Sequence, residues 1–260
     1  MLSLIDSTRI MRKHGFGSLI TKPNGNAKLM KSKDWYNAGI SLAQASLSGY
    51  NMCLASTIMC RNGCLGKTGR AEFTPMIEKA RVNRTKLFAT NPDLFWTVLE
   101  PQLHAIDRKA TKLGLPVAFR PNVLSDQSWH TLFPQMFSEF PHWQFYSYTK
   151  VKRKVREYTE GKLPANYHVT YSWSERGRLD YIRGILAKGV NVAVPFYDKK
   201  TLKPTLPSEW KGFNVIDGDI TDLRFLDPKG VIVGLKVKLP KRRTAAVRKI
   251  NESKGFFVGV

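Results

Sequence analysis

From Leu115 onward, short apolar runs alternate with stretches of helical period, and that rhythm restricts the architecture more than any single residue does. LPVAF at 115–119, WQFYSY at 143–148, YHVTYSW at 167–173 and VNVAVPF at 190–196 read as strands, with two more at 213–216 and 230–239. Helical patterns fall between them, near 131–140, 152–159 and 179–188. WYNAGISLAQA at 35–45 is a candidate first strand. Strands that alternate with helices predict parallel βαβ units. Such crossovers share one hand, so several in a row wrap into a doubly wound sheet or a barrel. The expected fold is α/β, an open, partial parallel βα barrel of about six or seven strands rather than a closed one of eight.

The intervening stretch reads as two helices. Thr74-Pro75 and Asn91-Pro92 each place a cap residue before a proline at the first helical position. Pro101, inside the second, is expected to kink or split it. Residues 1–34, rich in Gly, Asn and Lys, read as a basic arm with turns around Pro23, Asn24, Gly25 and Asn26. Residues 35–239 read as a single βα domain, and 240–260 as a basic tail packing on it.

All three cysteines fall in one stretch, YNMCLASTIMCRNGCLGKTGR at 50–70, spaced C-x6-C-x3-C. Three thiols cannot all pair within one chain. Thiolates are soft ligands for iron–sulfur clusters, zinc or copper(I). Cys53, Cys60 and Cys64 are therefore candidate metal ligands. A cubane cluster takes four cysteines as a rule, so three would leave one iron open to a small ligand. Two alternatives stand beside this: buried, inert cysteines, or zinc held by the three thiols with His14 or His104 brought in by the fold. Gly49, Gly63, Gly66 and Gly69 would let the loop wrap closely.

In parallel barrels, chemistry gathers at the C-terminal ends of strands. Those ends carry Arg120, Asn122, Ser125 and Asp126 after 115–119, Thr149 and Lys150 after 143–148, Ser172, Ser174, Glu175 and Arg176 around the end of 167–173, and Asp217 and Asp219 after 213–216. Such a rim suits a zwitterionic ligand, because carboxylates and ammonium groups both find charge-assisted partners there. Helix capping by Ser125 and Asp126 and a tight turn at Asp217-Gly218-Asp219 are the plain structural alternatives.

The chain has 42 Lys and Arg against 20 Asp and Glu, a formal charge of +22. That excess attracts polyanions, nucleic acid above all. Lys152, Arg153, Lys154 and Arg156 in KVKRKVR, and Lys241, Arg242 and Arg243 in the tail, are the candidate contacts. Tyr146, Tyr148, Tyr167, Tyr171 and Trp173 could stack on bases, though their alternation along strands suits core packing equally well. No apolar run approaches the roughly 20 residues of a membrane span. The first residues carry Asp6 and no apolar core of a secretion signal. Several familiar motifs are absent. Arg61 stands where a phosphate loop ending at Gly66-Lys67-Thr68 needs glycine. There is no G-x-S-x-G elbow and no dinucleotide glycine fingerprint. His130, His142 and His168 lack the spacing of a zinc helix.

Several segments together, NGNAKL, SGYNMC…CRNGCLGKTGR, VNRTKLF, LSDQSWH, FYSYTK, NVAVPF and VIDGDITDLRFLDPKGVIVGLK, resemble a phage-encoded family of three-cysteine iron–sulfur proteins related in pattern to radical-SAM-type barrels. The resemblance spans 24–260. It implies a phage product in the cytoplasm of a bacterial host, with Cys53, Cys60 and Cys64 as ligands of a 4Fe–4S cluster; three-cysteine ligation would leave an iron able to take the amino and carboxylate groups of S-adenosylmethionine. Radical-SAM enzymes commonly use C-x3-C-x2-C, so this spacing departs from theirs. Three functions follow as expectations: radical-SAM-like chemistry on a nucleotide or nucleic acid; non-enzymatic nucleic-acid binding with a structural or redox-sensing cluster; or a zinc-dependent hydrolase or deaminase using Glu175 or Asp126 as base, for which the deaminase signature is missing.

Overall fold

The computed structural model describes residues 2–23, 33–67, 74–240 and 242–260. Its strands are β1 Ile20–Thr21, β2 Tyr36–Ile40, β3 Val117–Arg120, β4 Gln144–Thr149, β5 Tyr167–Ser172, β6 Val192–Tyr197, β7 Glu209–Trp210, β8 Phe213–Asp217, β9 Ile232–Lys236 and β10 Val258–Gly259. All seven strands expected from the apolar runs are present, as β2 to β6, β8 and β9. The additional β1, β7 and β10 have two residues each, too few to show a period.

The chain divides into two compact units. One comprises Met1–Leu54, Phe73–Ser147 and Leu163–His168; the other comprises Ala55–Glu72, Tyr148–Lys162 and Val169–Val260. In the first, β2 pairs with β3 and β3 with β4, both in parallel, while β1 is antiparallel to β2. In the second, β6 lies in parallel between β5 and β9, β9 pairs in parallel with β8, β10 adds in parallel to β6, and β7 is antiparallel to β8. The architecture is mixed α/β with mostly parallel strands. Every residue of β2 is buried, as expected of a parallel strand covered on both faces.

Aromatic packing fills the first unit. Phe137, Phe140, Trp143 and Phe145 are buried, with ring centroids 4.3 Å apart for Phe140–Trp143 and 4.6 Å for Phe137–Phe145. Buried Tyr146 donates its hydroxyl hydrogen to Asn37 Oδ1 at 2.9 Å, tying β4 to β2.

The expected N-terminal arm is folded over part of its length. Leu4–Lys13 is a helix whose N-cap Ser3 accepts the Asp6 amide, and it packs on the helix Pro92–Lys112. Ser7 donates to the Val98 carbonyl at 2.8 Å, and Met11 is buried. The polar composition concealed this short amphipathic pattern. The turn expected at Asn24-Gly25-Asn26 lies outside the described residues. Pro101 does not split its helix, which runs unbroken from Pro92 to Lys112. Val98, Leu99 and Leu103 are fully buried on that helix, and tertiary packing of this kind outweighs one lost backbone bond. Pro134, by contrast, divides the helix expected at 131–140 into Trp129–Leu132 and Gln135–Glu139. The C-terminal segment forms the helix Arg243–Glu252 and then β10, with Val237, Ile250 and Phe257 packed together.

Gly39 lies where β2 meets the end of β3. A Cβ there would overlap the Arg120 carbonyl oxygen and come within 2.8 Å of Val123 Cγ2. Gly39→Ala should therefore destabilise the protein by about 1–3 kcal/mol, as overpacking does, read as a lower urea midpoint at unchanged slope.

Candidate functional site

In the second unit, the sequence builds a short capped helix out of the cysteine stretch. Thr57 is the N-cap of Ile58–Asn62, and its hydroxyl oxygen accepts the Cys60 amide at 3.1 Å. The same hydroxyl donates to Glu175 Oε2 at 2.9 Å, which ties the helix to the segment after β5. Asn62 donates to the Glu252 carbonyl at 2.9 Å. Gly63 is buried against Phe256 and Phe257, whose rings would meet a Cβ there at 2.8–2.9 Å. Cys64 follows, and its sulfur accepts the Gly66 amide at 3.4 Å. The end of β5 is anchored nearby in this unit: Trp173 donates its indole hydrogen to the Gly255 carbonyl at 2.8 Å, and Lys150 donates to Ser172 Oγ at 2.7 Å. The Lys150 ammonium also lies 4.9 Å from the Phe256 ring centroid. Thus Cys60, Cys64, Glu175, Lys150 and Ser172 are drawn into one hydrogen-bonded and packed neighbourhood. Ser174 is buried beside them in sequence, and its carbonyl accepts the Gly177 amide at 2.8 Å.

Cys53 belongs to the first unit. Its sulfur accepts the Ala45 amide and its thiol faces the Leu124 carbonyl, each at 3.4 Å. The Asp126 amide donates to the Met52 carbonyl at 2.8 Å, so the chain around Cys53 runs along the loop that follows β3. That loop is organised by Asn122. Its Oδ1 accepts from the Ser125 hydroxyl, the Gln127 amide and the Trp129 indole at 2.8–2.9 Å. Arg120 folds back to donate to the carbonyls of Asn122 and Val123 at 3.2 Å. Arg120, Asn122 and Ser125 therefore hold a loop together. Ser125 and Asp126 cap no helix: Ser128 occupies the cap position of Trp129–Leu132. None of the three cysteines is in a disulfide, and all have intermediate exposure.

The two acids after β8 are engaged by lysines. Asp217 meets Lys236 Nζ at 2.7 Å and accepts the Asp219 amide. Asp219 accepts the Lys236 amide and lies 3.7 Å from Lys238 Nζ. Burial would raise the Asp217 pKa, but the hydrogen bonds from Lys236 and the Asp219 amide, with the lysine's charge, hold it below the ordinary carboxylate value. The same hydrogen bond raises Lys236.

Among the basic candidates, Lys152, Arg153 and Arg156 are exposed on the helix Lys152–Thr159, and Arg242 and Arg243 are exposed at the start of the last helix. Lys154 is 1% exposed, so it points into the fold and offers nothing to a polyanion. Lys241 lies outside the described residues. Arg153 pairs with Glu157 at 2.7 Å, and Lys152 sits 4.6 Å above the Tyr181 ring. Tyr146, Tyr167, Tyr171 and Trp173 are buried, which removes them as base-stacking platforms and makes them core. Thr57, Phe256 and Phe257 escaped the sequence reading. Only a cap residue three positions before Cys60 hinted at the first, and nothing local announces that the terminal phenylalanines return to the cysteine helix.

A mixed α/β protein with mostly parallel strands and a cysteine-bearing loop is the class that fold and site define. The family model for Gene product 88, a phage-type family, matches residues 18–252, and the chain belongs to that family. No curated protein and no solved structure matches it. No helix among the described residues is long and apolar enough to cross a membrane.

Three outcomes are expected. Asn122→Ala leaves the buried Trp129 indole and the Gln127 amide without their acceptor and should cost about 1–3 kcal/mol in chemical denaturation. Thr57→Val removes the cap and the Glu175 bond together, so Cys60 should react faster with a thiol reagent while Cys53 keeps its rate. Asp217 has a depressed pKa, so its contribution to stability is present above the unfolded carboxylate value near pH 4 and drains away as acid carries it through the folded value. Asp217→Asn should accordingly lower the denaturation midpoint at neutral pH and change nothing once both states are protonated.

Proposed function

We propose that this chain is an iron–sulfur protein that holds a 4Fe–4S cluster through Cys53, Cys60 and Cys64 and acts in the cytoplasm of a phage's bacterial host. The observation that carries the reading is the state of the thiols. The chain's only three cysteines fall in one C-x6-C-x3-C stretch, none is disulfide-bonded, and all are half-buried. Two of the three sulfurs already accept a backbone amide, from Ala45 and Gly66. Amide hydrogens on sulfur favour the thiolate and tune a bound cluster, which supports the reading.

The finer reading is a partial βα barrel with radical-SAM-like chemistry on a nucleotide or nucleic acid. When bound, a three-cysteine cluster leaves one iron open to a ligand such as S-adenosylmethionine and supplies an electron to its sulfonium. The chain's own part is binding and orientation. The Lys150 ammonium suits a carboxylate, and the Glu175 carboxylate, held by Thr57, suits an ammonium. Anaerobic purification followed by iron, acid-labile sulfide and zinc counts tests this. Equal iron and sulfide, lost in Cys60→Ala together with the visible absorption, is the expected result. Zinc without sulfide would sink it.

A second reading, nucleic-acid binding with a structural or redox-sensing cluster, is favoured by the exposed Lys152, Arg153, Arg156, Arg242 and Arg243 in a chain of +22. Binding of a fluorescent single-stranded oligonucleotide should weaken steeply with salt, and Arg156→Glu should reduce the salt slope by about one. Binding indifferent to salt would count against it.

A further inference from the structure

Away from the cysteines, the first unit gathers a second set of metal-ligating side chains. Glu100 and His104 are four residues apart on the helix Pro92–Lys112, which puts them on one face a turn apart. Glu139, the last residue of Gln135–Glu139, reaches the same face: its Oε2 lies 3.9 Å from His104 Nε2. One ligand atom from each of the three lies within 4.8 Å of the other two.

The surroundings hold this arrangement in place. The His104 ring packs against buried Phe140 with centroids 5.0 Å apart. One turn further along the helix, Asp107 Oδ1 accepts the Trp143 indole hydrogen and meets His142 Nε2, each at 2.7 Å. The segment that carries Glu139 is thereby pinned to the helix from its far side.

The charges are unbalanced. In a chain of +22, neither Glu100 nor Glu139 has a Lys or Arg salt bridge among the described residues. Burial and then the charge of Glu100 push the Glu139 pKa up against the pull of His104. Two carboxylates and an imidazole that converge without an organic cation are a hard and borderline donor set suited to a divalent ion.

We propose that Glu100, His104 and Glu139 form a binding site for a divalent transition-metal ion of the zinc class, with a fourth position open to water. A tetrahedral zinc ion with bonds of about 2.0–2.1 Å sets neighbouring donors about 3.4 Å apart. Closing from 3.9 Å between His104 and Glu139 takes only a side-chain adjustment, and both carboxylates remain open enough to make it. The site is independent of the cysteines, so it stands or falls separately from the cluster.

The test uses the full chain with Cys53, Cys60 and Cys64 changed to Ser, treated with chelator and titrated with zinc by calorimetry. One zinc per chain is expected, weakened by Glu139→Gln and by His104→Gln at least as much as the roughly 10–100-fold loss typical of outer-shell changes. No zinc binding, or binding unchanged in both variants, overturns the proposal. If the cysteine-free chain does not fold, cobalt(II) added to the natural chain serves instead. Glu139→Gln should then reduce the ligand-field intensity while leaving sulfur-to-cobalt charge transfer intact, and a spectrum unaltered by the substitution overturns the proposal.

Discussion

Parallel strand pairing is the constraint on which the site depends. When neighbouring strands run the same way, each connection must cross back over the sheet, and the loops that leave the strands emerge at a common end. In the first unit this places the stretch after β2, which leads to Cys53, alongside the loop after β3, and the Met52–Asp126 backbone bond records that meeting. In the second unit the segment after β5 carries Glu175 toward the helix that bears Cys60. Strand direction, more than any individual side chain, decides which loops can cooperate.

What those loops do with their polar residues separates support from chemistry. Asn122 spends its side-chain oxygen on three donors, and Arg120 turns inward to two carbonyls. Such groups are committed to holding the loop, and their contacts leave little for a ligand. Asp217 and Asp219 are likewise matched with Lys236 and Lys238. Lys150 and Glu175 instead reach neutral hydroxyls of other segments, Ser172 and Thr57 respectively, and Lys150 also lies over the Phe256 ring.

The basic surplus resolves in the same way once burial is known. Lys154 turns inward while Lys152, Arg153 and Arg156 face solvent on one short helix. Of the tyrosines near this run, Tyr146, Tyr167 and Tyr171 are core and Tyr148 is half-buried. Cation count alone therefore overstated the surface open to a polyanion, and aromatic proximity in sequence said nothing of stacking.

The seven longer strands were legible in the amino-acid order because period and strand length are local properties. So was the concentration of thiols in one loop. The three two-residue strands, the helix over Leu4–Lys13 and the unbroken passage through Pro101 were not, since each is stabilised by packing from distant parts of the chain. The same holds for the sites. Sequence singled out the cysteines but could not show that Thr57 joins their helix to Glu175. Nor could it show that Glu139 would reach His104 and Glu100, separated from it by the whole β3 excursion. Composition and periodicity determine which elements form; only long-range contacts in the folded chain decide which side chains share a neighbourhood.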